Sequence, residues 1–484
     1  MFPGQRQAVS TLYPQNNSGA LPIPNSLQDA ELSNPLRRLA FYAALGLIFL
    51  RYSLLHEVIG YYAGTSTYIL YLFAIPALLG VIGCGGVQRT LAAPQAKYWI
   101  AFVVWFLLAV PFSTWRGEST EYALLYLRTD MPMLFVMAGL ALTWQECRAM
   151  LATIAFAGIT NIFMGLALVK DFSGRMGIEF GVVSNPNDYA GHLILILPVI
   201  LFLVLCPTKR MPMRLFVRVS GLAAVLFGLY IIVMTGSRGA FIGLVAGTLY
   251  VLWKSSMSVR LGALFAAPLL YLVLFAVVPE RIRTRLQLID FGNSIQKDDS
   301  GVADEADESS RLRRFLLDES LRITVLRPIF GVGPGQFGNY EGRAALWRST
   351  HNSFTQISSE CGIPALLFYL AALVSGFRTL QRTWKEARRG HMREIEIACY
   401  CLSLSFIMFC VAVFFLNFAY FFYFPATVGL FIAVNYGAQR ELALAKLPQN
   451  HVRTDVIQAG TGSPQIVAPA YSRSPQAFRF NRFR

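Results

Sequence analysis

Apolar runs long enough to cross a bilayer recur along nearly the whole chain. They fall at about 39–55, 66–87, 97–112, 124–143, 149–169, 189–206, 215–234, 237–253, 260–278, 354–376, 395–416 and 418–437. A helix of about 20 residues rises about 30 Å, the thickness of the hydrocarbon layer. Composition agrees, with 55% hydrophobic and 14% charged residues, where a soluble chain carries about 25% charge. The pattern predicts an all-α integral membrane protein of about twelve transmembrane helices. The last two runs nearly fuse, and Asn417 or Pro425 is the expected break between them.

The formal net charge is +15. In a soluble chain that balance would suggest nucleic acid, but no nucleic-acid motif and no basic patch interleaved with aromatics stands in a soluble segment, so no nucleic-acid partner is expected. The cations instead report orientation. With the N-terminus inside, the inner loops carry Arg89, Lys97, Arg148, Lys209, Arg210, Arg214, Arg218, Lys254, Arg260, Arg378, Arg382, Lys385, Arg388, Arg389 and Arg393. The short outer loops carry only Arg116, Lys170, Arg175 and Arg238. An excess of Lys and Arg marks the cytoplasmic side, so both termini are expected there, with the cations facing anionic lipid headgroups.

Five regions follow. Residues 1–35 are polar and Pro-rich with no apolar stretch behind a basic start, which predicts a disordered cytoplasmic tail and no signal peptide. Residues 36–278 carry the first nine helices, 279–353 form one long outer loop, 354–440 carry three more helices, and 441–484 read as a disordered basic cytoplasmic tail. Within the loop, Lys297 to Ser310 is acidic and flexible in composition. Leu312, Phe315, Leu316, Ile323 and Leu326 then recur at helical spacing, which predicts an amphipathic helix over 311–326 near the membrane surface. The seven cysteines are scattered without a C-x-x-C pattern, so neither a structural disulfide nor a metal site is expected.

Several polar groups stand out against this apolar background. Arg238 lies in T-G-S-R-G-A, between two apolar runs. It reads either as an interfacial side chain reaching for water or as one facing a polar cavity, and the small residues around it allow close approach. His351 opens H-N-S-F. An imidazole suits a general base at neutral pH; alternatively His351 and Asn352 only start a helix. Arg311, Arg313 and Arg314 form either a solvated face or a clamp for phosphate oxygens. Arg175 and Asn187 lie in an outer segment, 175–190, that ends in N-P-N-D-Y-A, a helix cap or a contact for sugar or phosphate. The G-V-G-P-G run at 331–335 lacks the ending of a P-loop and reads as a turn that lets the chain re-enter the membrane surface. Asp298 and Asp299 read as solvated charge.

Taken in order, T-G-S-R-G-A (235–240), Arg313 followed by P-x-x-G-V-G-P-G-x-F (328–337), and H-N-S-F…E-x-G-I-P (351–364) resemble the O-antigen ligase and polymerase family of bacterial envelope glycosyltransferases. N-P-N-D-x-A is similar to the family's outer loop as well. The motifs cover about 175–370, and the run of helices extends the likeness over about 36–440. The resemblance implies a multi-pass protein of the bacterial inner membrane whose active site faces the periplasm. It implies transfer of a glycan from undecaprenyl pyrophosphate to a lipid-linked sugar acceptor, the lipid A core for a ligase. A metal-independent, cofactor-free, inverting reaction is implied too. Carried onto this chain, Arg238 and Arg313 would hold the pyrophosphate and His351 would activate the acceptor hydroxyl. Arg311, Arg314, Arg175, Asn187 and Asn352 are the further candidates for substrate contact. The family often has an aromatic four residues after the loop arginine, where this chain has Leu317. Arg313 is therefore chosen on its spacing to Gly331.

Three other readings compete. A polymerase of O-antigen or exopolysaccharide would use the same motifs with another undecaprenyl-linked glycan as acceptor. A polysaccharide transporter would need an ionisable group within the bundle, for which Asp130 is the candidate. A membrane scaffold would tolerate substitution at the Arg and His positions.

Overall fold

The first helix shows how the chain enters the bundle. Asn34 accepts from the backbone N–H groups of Leu36 and Arg37, Pro35 occupies the first helical position, and α1 runs Pro35–Ser53. Leu54 adopts a left-handed conformation, and α2 (Leu55–Ala63) leaves at 68°. A second bent pair follows, α3 (Ile69–Gly83) and α4 (Gly86–Ala92), at 73°. Then come α5 (Pro94–Ala109), α6 (Arg116–Thr129), α7 (Pro132–Gly139), α8 (Trp144–Leu168), α9 (Pro186–Leu205), α10 (Met211–Met234) and α11 (Arg238–Lys254). Beyond them lie α12 (Glu280–Gln287), α13 (Val302–Leu326), α14 (Phe337–Glu341), α15 (Ser353–Arg389), α16 (Arg393–Ala412) and α17 (Tyr423–Lys446). Between α8 and α9, β1 (Lys170–Asp171) and β2 (Met176–Gly177) pair antiparallel. The computed structural model describes residues 32–65, 68–168, 170–172, 174–179, 181–207, 211–258, 260–262, 265, 278–287, 302–341 and 348–446. Residues 1–31 and 447–484 of the expected tails, most of the expected span at 260–278 and the Asp298–Asp299 pair lie outside the described residues; residues 441–446, expected as the start of a disordered tail, instead continue the last helix.

The protein is an all-α, multi-pass membrane protein. Among the described residues six helices are long and apolar enough to cross a membrane, and up to eight if each bent pair is one span. This narrows the expectation of about twelve, for identifiable reasons. The run at 124–143 is interrupted where Pro132 opens a new helix and Asp130 is pinned by Arg51 at 2.7 Å. Helix α11 has 17 residues. Helix α17 ends in polar residues that include Asn435, Gln439, Arg440 and Glu441. The expected break near Asn417 is present: α16 ends at Ala412, and α17 starts at Tyr423 with Pro425 inside its first turn. The acidic stretch before Arg311 is helical from Val302, so α13 begins earlier than its apolar spacing predicts. Glu and Ala are good helix formers, and acidic residues suit a helix start.

Helix α9 is the centre of the packing. It is apolar on all sides, as a helix surrounded by others should be, and it contacts α8, α10, α11 and α16. At the end of the bundle where α1 begins, buried charge is matched by contact. Arg37 Nη1 lies 2.8 Å from Glu146 Oε1 and donates to the Leu140 carbonyl at 2.9 Å. Glu146 Oε2 accepts from the backbone N–H of Leu142 at 2.8 Å, and Arg89 Nη2 donates to the Gly139 carbonyl at 2.8 Å. Desolvated charges persist only with such partners. Residues up to Leu442 form one compact unit; the described residues of the second, 443–446, are helical.

Candidate functional site

Three helices start around one turn. Helix α9 is capped by Asn185, which accepts from the N–H groups of Asn187 and Asp188; α11 by Ser237, which accepts from Ala240; and α15 by Asn352, which accepts from Phe354 and Thr355. All three pack on the 413–418 segment, a 3-10 turn over Val413–Phe415 followed by extended chain. Ser353 Oγ donates to the Leu416 carbonyl at 2.7 Å and accepts from Phe418 N at 2.8 Å, and the Phe354 and Phe414 rings lie 4.7 Å apart. A Cβ on Gly239 would come within 2.6 Å of Phe415 Cβ, so only glycine allows α11 this near. Helix starts carry partial positive charge, and three of them ringed around one turn favour an anion.

Guanidinium groups add to that field. Arg175 Nε donates to the Thr235 carbonyl at 2.7 Å and its Nη2 to Asn187 Oδ1 at 2.9 Å, which ties the start of α9 to the turn before α11. Arg238 is half-buried at the first position of α11. Arg313 precedes the buried stripe Leu316, Ser320 and Ile323 of α13 by one helical turn, so it lies on the inward face. Arg311 and Arg314 are exposed. Leu317, where the resemblance expects an aromatic, is half-buried beside that stripe.

His351 sits directly before the cap of α15 with φ 51°, a left-handed backbone found in few residues other than glycine. Burial, then the charges of Arg313 and Arg348, push its imidazole down to about 4, so it is neutral at pH 7. The charge of Arg313 also acts on Asp188, whose carboxylate accepts a short hydrogen bond from Asn185 Nδ2. Arg313 thus lies within electrostatic reach of both His351 and Asp188. Asn352 Oδ1 is engaged in capping, at 2.9 and 3.1 Å from Phe354 N and Thr355 N.

The glycine-rich turn is the scaffold beneath this arrangement. Gly362 interrupts α15 with φ 85° and ψ 171°, and the freed carbonyls of Ser359 and Glu360 accept from Val332 N at 2.9 Å and Gly333 N at 2.8 Å. A Cβ on Gly362 would lie 2.0 Å from the Ile329 carbonyl oxygen. The Glu360 carboxylate accepts from Gly335 N at 3.0 Å and Phe337 N at 3.4 Å. Thr114 N, in the α5–α6 connection, donates to the Val332 carbonyl at 2.9 Å, and Ser119 Oγ, in α6, to that of Pro334 at 3.0 Å. Phe330 stacks on Phe112, and Trp105 Nε1 donates to Ile329 O, so the turn lies along the apolar surface of α5. This holds the C-terminal end of α13 in place. Among the described residues no group of three or more His, Cys, Asp or Glu is placed to hold a metal ion.

Sequence reasoning missed three participants. Asp188 was hidden inside an apparent capping motif. Glu360 lay in a recognised motif without an assigned task. The 413–418 turn is apolar but for Asn417, and carries no chemical signature at all.

Fold and site together define a multi-pass membrane protein in which three helix starts and the half-buried Arg175 meet around one turn. Residues 222–370 match the model of a known protein family, described as O-antigen ligase. The matched stretch includes Arg238, Arg313, His351 and the glycine-rich turn, and it supports an O-antigen ligase/polymerase family member. A search of curated proteins returns no match.

Proposed function

We propose that the protein transfers a glycan from undecaprenyl pyrophosphate to a sugar hydroxyl of a lipid-linked acceptor, the lipid A core, at the periplasmic face of the bacterial inner membrane. The family match over residues 222–370 supports a ligase- or polymerase-type role in envelope polysaccharide synthesis. The observation that carries the finer reading is Arg313, turned inward on α13 with its charge acting on His351.

The chemistry follows from that pairing. The acceptor oxygen attacks the anomeric carbon from the face opposite the pyrophosphate, His351 takes the hydroxyl proton, and the electron pair of the breaking C–O bond leaves with undecaprenyl pyrophosphate. Arg238, Arg313 and the three helix starts offset the charge that develops on the leaving group. A base held near 4 is weak, but the bound pyrophosphate would cancel part of the field of Arg313 and Arg348 and so strengthen the imidazole when the donor is in place. One base suffices for a single inverting displacement. Both substrates are amphiphiles in one leaflet, so the membrane brings them together and the protein supplies orientation. Arg175 and Asn187 bond each other and brace the pocket. Asp130, the candidate group for a transporter, is engaged with Arg51 and accepts from Phe422 N at 2.9 Å, which favours a structural task for it.

The test is a deletion strain complemented with wild type or His351→Ala. Long glycans stranded on undecaprenyl pyrophosphate over bare lipid A core, cured by wild type alone, are the expected result. Accumulated single repeat units, or loss of exported polysaccharide with intact lipopolysaccharide, would assign polymerase chemistry to the same site. Unchanged glycans would refute transfer altogether.

A further inference from the structure

Between α15 and α16 a cavity of about 630 Å³ runs from Phe354, near the His351 end, toward Lys385. Its wall is apolar along Leu370, Leu373, Val374 and Phe377 of α15 and Phe406 and Cys410 of α16. Beyond Phe377 the lining changes to Arg378, Gln381, Arg382 and Lys385. Among the described residues none of these three cations forms an ion pair, and all three are exposed. Lys254 at the end of α11 adds a fourth charge nearby, with its ammonium 4.5 Å above the Trp384 ring.

A row of cations at one end of a membrane helix needs no ligand; orientation in the bilayer selects for it. The cavity is what adds information. It runs from a cationic mouth into an apolar trough, and that order of polarity matches one kind of occupant, an amphiphile with a negative headgroup and a hydrocarbon chain. It does not suit a polyprenyl chain descending from the His351 end, whose tail would finish among Arg378, Arg382 and Lys385.

We propose that the α15–α16 groove is a binding site for an anionic phospholipid of the leaflet opposite the transfer site. Arg378, Arg382 and Lys385 hold the headgroup phosphate, and one acyl chain lies along Val374, Phe377 and Phe406. Guanidinium and ammonium groups near a lipid surface each strengthen phosphate attraction, and the trough shields the chain on one side.

The experiment is native mass spectrometry of the full chain in detergent, offered equal amounts of dioleoyl phosphatidylglycerol and dioleoyl phosphatidylethanolamine. The wild type should retain the glycerol lipid preferentially, and each cation removed should weaken retention about five-fold. The triple variant Arg378→Gln/Arg382→Gln/Lys385→Gln should lose the preference. Arg382→Gln alone should lose part of it, and gives the answer if the triple variant fails to fold. Val374→Trp, which fills the trough and leaves every cation in place, should lower retention as well. Equal retention of the two lipids by wild type would overturn the proposal. So would undiminished retention by Val374→Trp, because the attraction would then be a property of the charged surface with no groove involved.

Discussion

Arginine stands at two ends of this bundle, buried at one and half-buried at the other, and the protein treats the two groups differently. At the start of α1, Arg37 meets the Glu146 carboxylate and a carbonyl, so its charge is cancelled where it stands. Around His351, Arg175 donates to the Thr235 carbonyl and the Asn187 amide oxygen, and Arg313 acts on an imidazole. The first arrangement stabilises a fold. The second sets Arg175 and Arg313 beside three helix starts, where Arg313 acts on both His351 and Asp188.

That contrast can be broken by substitution. His351→Ala should lower transfer by about 10² to 10⁴-fold, the range for loss of a general base, and leave thermal stability near that of wild type. A large drop in stability would make His351 part of the scaffold. Glu146→Gln should do the opposite. Stranding Arg37 without its carboxylate should cost about 3 kcal/mol, read as a lower melting temperature, while kcat of the folded fraction stays unchanged. A fall in kcat at full stability would erase the distinction between the two ends.

The pH profile sharpens the same comparison. His351 is pushed down to about 4 and is competent when neutral, so kcat/KM should stay level from pH 8 to about 5 and fall only below that. The limb for kcat should lie higher, because bound donor offsets Arg313. Arg313→Gln removes one of the charges that lower the imidazole, so it should move the kcat/KM limb toward higher pH. A wild-type limb near 6.5 would show that His351 is not held in this field. The smallest expected effect belongs to Asn352. Asn352→Ala should cost about 1 kcal/mol as a lost cap, and Asn352→Asp should restore both stability and activity. Failure of the aspartate to restore activity would point to direct contact of Asn352 with substrate.

Much of this was legible in the chain because lipid imposes strong rules. Long apolar runs could only be helices, and each polar group within them needed a reason. The number of spans was less legible. A run such as 124–143 counts as one span by hydropathy, but Pro132 and the Asp130–Arg51 pair divide it, and the partner lies far away in sequence. Arg313 could be preferred over Arg311 and Arg314 by spacing alone; its orientation depends on Leu316, Ser320 and Ile323 being the face that packs. The 413–418 turn was invisible because its contribution is shape: it receives Gly239, Ser353 and Phe354 through close packing and backbone bonds, which no residue type advertises.

The central claim is that Arg313 belongs to the pocket while its neighbours do not. The direct measurement is the transfer rate of purified protein in proteoliposomes with an undecaprenyl-pyrophosphate-linked glycan, for Arg311→Gln, Arg313→Gln and Arg314→Gln. Arg313→Gln should lose about 10² to 10³-fold in kcat, the loss typical of one charge-stabilising donor. The two exposed positions should stay within about two-fold of wild type, as surface substitutions do. Equal losses at all three positions, or a larger loss at Arg311 or Arg314, would contradict the account and shift the anion site to the exposed face of α13.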